Sequence, residues 1–214
     1  MPKIINKIIK ILITSDFFLN LGWGLLGPIF AIFIVQNIAV ENISEAARVA
    51  GFASLAYWMV KSALQIPIGH YLDKNHGERD DYWFMVIGTF IAGFIPLGYL
   101  FAFHPWHIYA LQAIYAIGMS MVFPSWLAIF TRHIDKGREA FEWGMESTFL
   151  GAGAGIAGGL GGVIVSIFGF NIVFIIVSFL TFFSTFLLLF IKNDISPKNK
   201  NFVRIAPVRP FIEP

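Results

Sequence analysis

The chain has 214 residues, 57% of them hydrophobic and 13% charged, with a formal net charge of +2 and a mean hydropathy of +0.73. So little polar surface cannot solubilise a 24.0 kDa globule, which excludes a water-soluble domain, and the small basic excess gives no argument for a nucleic-acid partner. With no cysteine in the sequence, disulfides, thiolate catalysis and Cys-ligated metal are excluded as well.

Six apolar stretches follow one another, at residues 11–38, 46–72, 82–103, 107–131, 140–168 and 171–191. A hydrocarbon core of ~30 Å needs about 20 helical residues, so each is long enough to cross a lipid bilayer. Lys3, Lys7 and Lys10 before the first stretch imitate a signal peptide. That stretch is too long for one and no small-x-small site follows it, which predicts an uncleaved helix. The link at 36–45 carries Glu41 and Glu45 and offers Ser44 as a cap for the next helix. Short breaks at 104–106 and around Gly169 predict antiparallel hairpins of the third with the fourth stretch, and of the fifth with the sixth. Pro28, Pro67, Pro96 and Pro124 lie inside stretches, where each removes a backbone donor and kinks its helix. Residues 1–191 therefore read as one all-α, polytopic domain of six transmembrane helices, and 192–214 as a polar, proline-containing tail without fixed structure.

Thirteen of the fifteen Lys and Arg residues fall in the N-terminal segment, the second and fourth breaks, and the tail. Basic residues beside spans are retained in the cytoplasm, which predicts a multi-pass plasma-membrane protein with both termini cytoplasmic and its basic flank against anionic headgroups.

The polar side chains inside the stretches then pose the functional question, because a charge at bilayer depth costs roughly 2.5–3.5 kcal/mol. They are Asp16 and Asn20 in the first stretch, Lys61 and Gln65 in the second, Gln112 in the fourth, and Glu142 and Glu146 in the fifth. Asp16, Asn20 and Trp23 share one helix face, as do Ser54, Tyr57, Lys61 and Gln65. At ~1.5 Å per residue, Asp16, Gln65 and Glu146 lie roughly 10 Å from the cytoplasmic side and Lys61 roughly 17 Å. Two readings stand: a cavity where Lys61 pairs with Asp16 or Glu146 and an anionic or protonatable solute competes for the pair, or a structural ion pair between helices. Glu142 sits in a first helical turn, where an acid suits the dipole and water is close. In the fifth stretch Gly151, Gly155, Gly158, Gly159 and Gly162 offer small faces for another helix to pack backbone to backbone. His104 and His107 lack carboxylate support and read as interfacial side chains rather than a metal site. No hydrolase, zinc or phosphate-loop motif occurs, so neither an enzyme nor a cofactor is expected.

Gly69, Asp73 and Lys74 in the second break fall in the register of the loop between helices 2 and 3 of the major facilitator superfamily, G-x-x-x-D-[R/K]-x-G-[R/K]-[R/K], which this break resembles. One extra residue precedes Gly77, and Glu78 replaces a basic residue before Arg79. The fourth stretch is similar to the family's R-x-x-x-G-x-G segment with a proline beyond it. Gly118 and Pro124 match, while Gln112 and Ala116 stand in place of the arginine and the first glycine, so proton coupling is not carried over. The resemblance covers roughly residues 8–191. It implies one six-helix half of a secondary transporter, moving a small solute, with or without a coupling proton or ion, by alternating access through a cavity between halves. The expected partner is a second copy in a homodimer, or another six-helix half; a non-transporting membrane scaffold or partner subunit is the alternative. On this basis Asp16, Asn20, Lys61, Gln65, Gln112 and Glu146 are the cavity candidates. Gly69, Asp73, Lys74, Gly77 and Arg79 form the implied cytoplasmic gate, with Arg132 as a basic partner for Asp73.

Overall fold

The computed structural model describes residues 5–39, 42–75 and 77–195. Its elements are α1 Lys7–Leu26, α2 Phe30–Asn37, α3 Ile43–Asn75, α4 Glu78–Tyr99, α5 Pro105–His133 and α6 Glu139–Leu188, closed by a 3₁₀ turn at Leu189–Ile191. Every regular element among the described residues is helical. The tail from residue 196 lies outside them, and so does the expectation about its structure. Lys7–Leu26, Glu78–Tyr99, Pro105–His133 and Glu139–Ile191 are each long and apolar enough to cross a membrane. At 33 residues α3 is also long enough, but Arg48, Lys61, Asp73 and Lys74 dilute its apolar character.

The first apolar stretch is not one helix. Pro28 has no N–H and its ring excludes the carbonyl four residues back. α1 accordingly stops at Leu26, Ile29 N–H turns back onto the Leu26 carbonyl at 3.1 Å, and α2 restarts at Phe30. Pro67, Pro96 and Pro124, by contrast, sit within continuous helices. The cap of α3 also differs from expectation. Helix already begins at Ile43, so Asn42 rather than Ser44 takes the capping position, its Oδ1 accepting from Glu45 N–H at 3.0 Å.

α6 contains the expected hairpin. Along α1, Phe17 lies against Gly153 and Leu25 against Gly161, so residues 139–168 run parallel to α1. Ser15 bonds Ser184 at 2.8 Å, while Gly22 lies against Val177 and Leu180, so residues 170–188 run antiparallel to it. The chain therefore reverses between them, at Gly169, with φ 78° and ψ 174°. That conformation is essentially confined to glycine.

α1 is thus held between the two arms of α6, while α4 and α5 pair alongside and α3 leans on α5. Two apolar clusters fill the bundle, one around Phe33, Tyr99 and Phe174 and one around Leu12, Tyr82, Met85 and Phe130. α4 and α5 touch through backbone: a Cβ on Gly118 would stand 2.8 Å from the Gly88 carbonyl oxygen. At the end of the bundle where both hairpin loops of the basic breaks lie, Lys7 pairs with Asp194 at 2.7 Å. Nearby, the Asn6 side chain donates to the His133 carbonyl at 3.3 Å.

The glycines of α6 divide between two faces. Gly153, Ala157 and Gly161 are buried against α1, because α1 brings the Phe17 ring, Gly24 and the Leu25 backbone to that face. Gly151, Gly155, Gly159 and Gly162 face away, with no atom of another described element within 4 Å of where a Cβ would stand, and Gly158 meets Pro28 at 3.8 Å.

Candidate functional site

Two cavities lie between α1 and its neighbours. One, of about 390 Å³, is lined from α1 by Asp16, Asn20 and Trp23, from α5 by Tyr115, Phe123 and Trp126, and from α6 by Trp143 and Glu146. The other, of about 320 Å³, lies toward α2 and is lined by Trp23, Gly27, Ser54, Tyr57, Tyr99, Gln112 and Tyr115. Both volumes suit a small organic solute. Trp23 and Tyr115 belong to both walls, their rings stacked with centroids 3.9 Å apart and 17° between planes. Tyr57 of α3 continues the stack on the far side of Tyr115 at 5.2 Å. A three-ring partition therefore separates the acidic cavity from the amide-bearing one.

Three of the six cavity candidates meet in the acidic cavity. Asp16 and Glu146 face the same cavity from α1 and α6, so two carboxyls share one small, largely aromatic space. Asn20 lies one turn along, its amide donating to the Asp16 carbonyl at 2.9 Å. Gln112 stands in the other cavity, where its Nε2 donates to the buried Tyr99 hydroxyl at 3.0 Å. Gln65 lines neither.

Lys61 does not take the carboxylate partner expected of it. Its ammonium lies 5.0 Å from the centroids of the Trp58 and Phe123 rings and 5.5 Å from that of Tyr57, so aromatic faces stabilise it instead. The acids it was to meet, Asp16 and Glu146, line the cavity to whose wall Phe123 belongs. Glu142 also departs from expectation. Rather than facing water it is fully buried, one oxygen accepting from the Asp135 backbone at 3.3 Å and so closing the α5–α6 turn.

The polar faces pick out Trp23 and Tyr57 but miss the aromatic wall contributed by α5 and α6. Tyr115, Met119, Val122 and Trp126 follow one helical stripe of α5 into the acidic cavity, and that rhythm is the signal by which the wall is legible. Trp143 joins it from α6, its ring centroid 6.2 Å from that of Trp126. The indole N–H groups of Trp23 and Trp126 are buried with no hydrogen-bond partner among the described residues.

The gate candidates separate. Gly69 lies within α3, Asp73 and Lys74 are exposed in its last turn, Gly77 precedes α4 as its cap, and Arg79 is exposed in the first turn of α4. Arg132 pairs with Asp81 rather than Asp73; the Asp81 side chain is wholly buried, and Arg132 reaches it across the α4–α5 interface. His133 Nδ1 approaches Glu78 across the same helices at 3.7 Å, while lying 3.0 Å from the Ile129 carbonyl. His104 and His107 meet as well, but His107 Nδ1 accepts from the His104 backbone N–H at 3.1 Å, which caps α5 and occupies that nitrogen. Among the described residues no group of three or more His, Asp or Glu side chains is placed to hold a metal ion.

Apolar helices, an acidic cavity inside them and a loop motif between α3 and α4 are joined by a family match: the family model of the Major Facilitator Superfamily covers residues 12–212. The chain belongs to the major facilitator superfamily. Compared with curated proteins one by one, it matches none. Membership makes this a membrane protein of the facilitator transporter type, a class that moves solutes rather than transforming them. The match runs through both cavities and the α3–α4 motif, so the polar groups described here lie inside the facilitator domain.

Proposed function

We propose that the chain is a six-span secondary transporter that carries a small solute by alternating access, working as a homodimer in the plasma membrane with both termini cytoplasmic. In this reading α1 with α2, then α3, α4, α5 and the two arms of α6 are the six spans. The acidic cavity opens toward a twofold axis, along which the second copy supplies the missing wall. The observation that carries the reading is the outward stripe Gly151, Gly155, Gly159 and Gly162, which has no neighbour among the described residues at any of the four positions. Small residues repeated at this interval are what a close helix–helix contact in lipid uses. α3 supports the same arrangement, with Trp58, Met59 and Ile66 exposed along its length. A coupling proton has a holder in the Asp16–Glu146 pair, and Asp73 with Lys74 remains available for a latch to the second copy.

The test exploits the absence of native cysteine. Gly155→Cys in a native-like bilayer is expected to form a disulfide-linked dimer under mild oxidation, and reconstituted protein to lose solute flux on Asp16→Asn or Lys61→Ala with the dimer intact. A monomer by mass in the bilayer, with no crosslink at Gly155 or Gly159, would overturn the homodimer. Unchanged flux in both polar variants would overturn the cavity.

A further inference from the structure

The acidic cavity has a composition that selects by charge. Its ionisable groups at neutral pH are two carboxyls, Asp16 and Glu146, and no Lys or Arg contributes to its wall. The remainder is dominated by Trp23, Tyr115, Trp126 and Trp143. Two carboxyls facing one lipid-embedded cavity call for a counter-ion. The basic side chain nearest this wall does not supply it, since Lys61 lies over Tyr57, Trp58 and Phe123.

That position of Lys61 is itself informative. Phe123 belongs to the cavity wall, so the protein already rests one of its own cations on a ring of this surface. Ring faces carry negative quadrupole density and favour large, weakly hydrated cations. An ion that cannot use strong hydrogen bonds to water loses least on leaving it, and organic ammonium ions answer that description better than metal ions do.

We infer that the cavity between α1, α5 and the N-terminal arm of α6 binds an organic ammonium ion, with the Asp16–Glu146 pair as its counter-charge and the Trp126 and Trp143 rings packed against its alkyl groups. This deepens the transport reading by naming the substrate class, and rests on it only for what happens after binding, because the two carboxyls and the Trp126 and Trp143 rings that would hold the ion all come from one copy. The unpaired indole N–H groups of Trp23 and Trp126 suit an oxygen acceptor on the same ligand.

Phenyltrimethylammonium, its neutral isostere tert-butylbenzene and the anion benzoate separate charge from shape. Titrated into the full chain in lipid nanodiscs and followed by tryptophan emission and calorimetry, the cation is expected to bind at least tenfold more tightly than either comparison compound. In the Asp16→Asn, Glu146→Gln double variant that preference is expected to disappear, and in Trp126→Leu, but not Trp126→Phe, affinity for the cation is expected to fall. Equal binding of tert-butylbenzene by the unmodified chain, or tighter binding of benzoate, overturns the proposal without relying on any variant's folding. A cation that binds as expected but is not moved by reconstituted protein leaves this inference standing and sinks the transport reading instead.

Discussion

Asp81 is buried with one oxygen facing Arg132 and the other without a hydrogen-bond partner among the described residues, so the arginine is what keeps a carboxylate tolerable at that depth. The two halves of the pair are not equivalent, because the Asp81 side chain has no exposure whereas 27% of the Arg132 side chain reaches solvent. Removing the partner of a buried charge typically costs about 3–5 kcal/mol, while a charge with access to water can relax. Arg132→Gln is therefore expected to lower the thermal midpoint of the detergent-solubilised protein clearly more than Asp81→Asn does; a thermal-shift series on both variants measures it, and equal losses would contradict the asymmetry. Single residues also mark where sequence reasoning reaches. Asp16, Asn20 and Glu146 are legible because a charge or amide in an apolar stretch has few explanations. Their partners are not, because the periodicity of one helix says which residues share a face and nothing about which helix stands opposite. For that reason Lys61 was expected beside an acid and Arg132 beside Asp73, whereas α5 presents rings to the first and α4 presents Asp81 to the second.

Among the elements, α6 shows most plainly what pattern can and cannot decide. Its hairpin is readable from Gly169, since a glycine between two stretches each long enough to span permits a reversal. The register of its glycine run is not, since Gly151 and Gly153 look alike in sequence and differ only in whether α1 faces them. The broken first span is half legible: Pro28 predicts a disturbance, but whether the helix kinks or stops depends on Ile29 turning back to Leu26. The two glycine faces yield opposite expectations. A Cβ at Gly161 would collide with the Leu25 carbonyl, so Gly161→Ala forces α1 and α6 apart and is expected to cost roughly 1–3 kcal/mol. At Gly155 a Cβ meets nothing within 4 Å, and alanine relieves a helix penalty of about 1 kcal/mol. Gly155→Ala is therefore expected to leave the thermal midpoint of the single copy unchanged or raised, yet to weaken self-association in a bilayer titration. If Gly161→Ala is tolerated while Gly155→Ala unfolds the chain, the assignment of inner and outer faces is wrong.

For the molecule as a whole, the consequential feature is that its polar interior is divided rather than continuous. Asp16, Asn20 and Glu146 lie on one side of the Trp23–Tyr115–Tyr57 stack, and Gln112 with Tyr99 on the other. Because Trp23 and Tyr115 line both cavities, the stacked rings are expected to act as a thin barrier between the two chambers. The absence of native cysteine makes the barrier measurable. Asn20→Cys is expected to react with a membrane-impermeant maleimide added from the side bearing the α3–α4 loop, and Gln112→Cys with reagent added from the side bearing the α4–α5 loop. Trp23→Ala removes the ring shared by both walls, and in that background each cysteine is expected to become reachable from both sides. If access to Asn20→Cys and Gln112→Cys is already two-sided with Trp23 in place, the stack is no barrier and the two chambers are one.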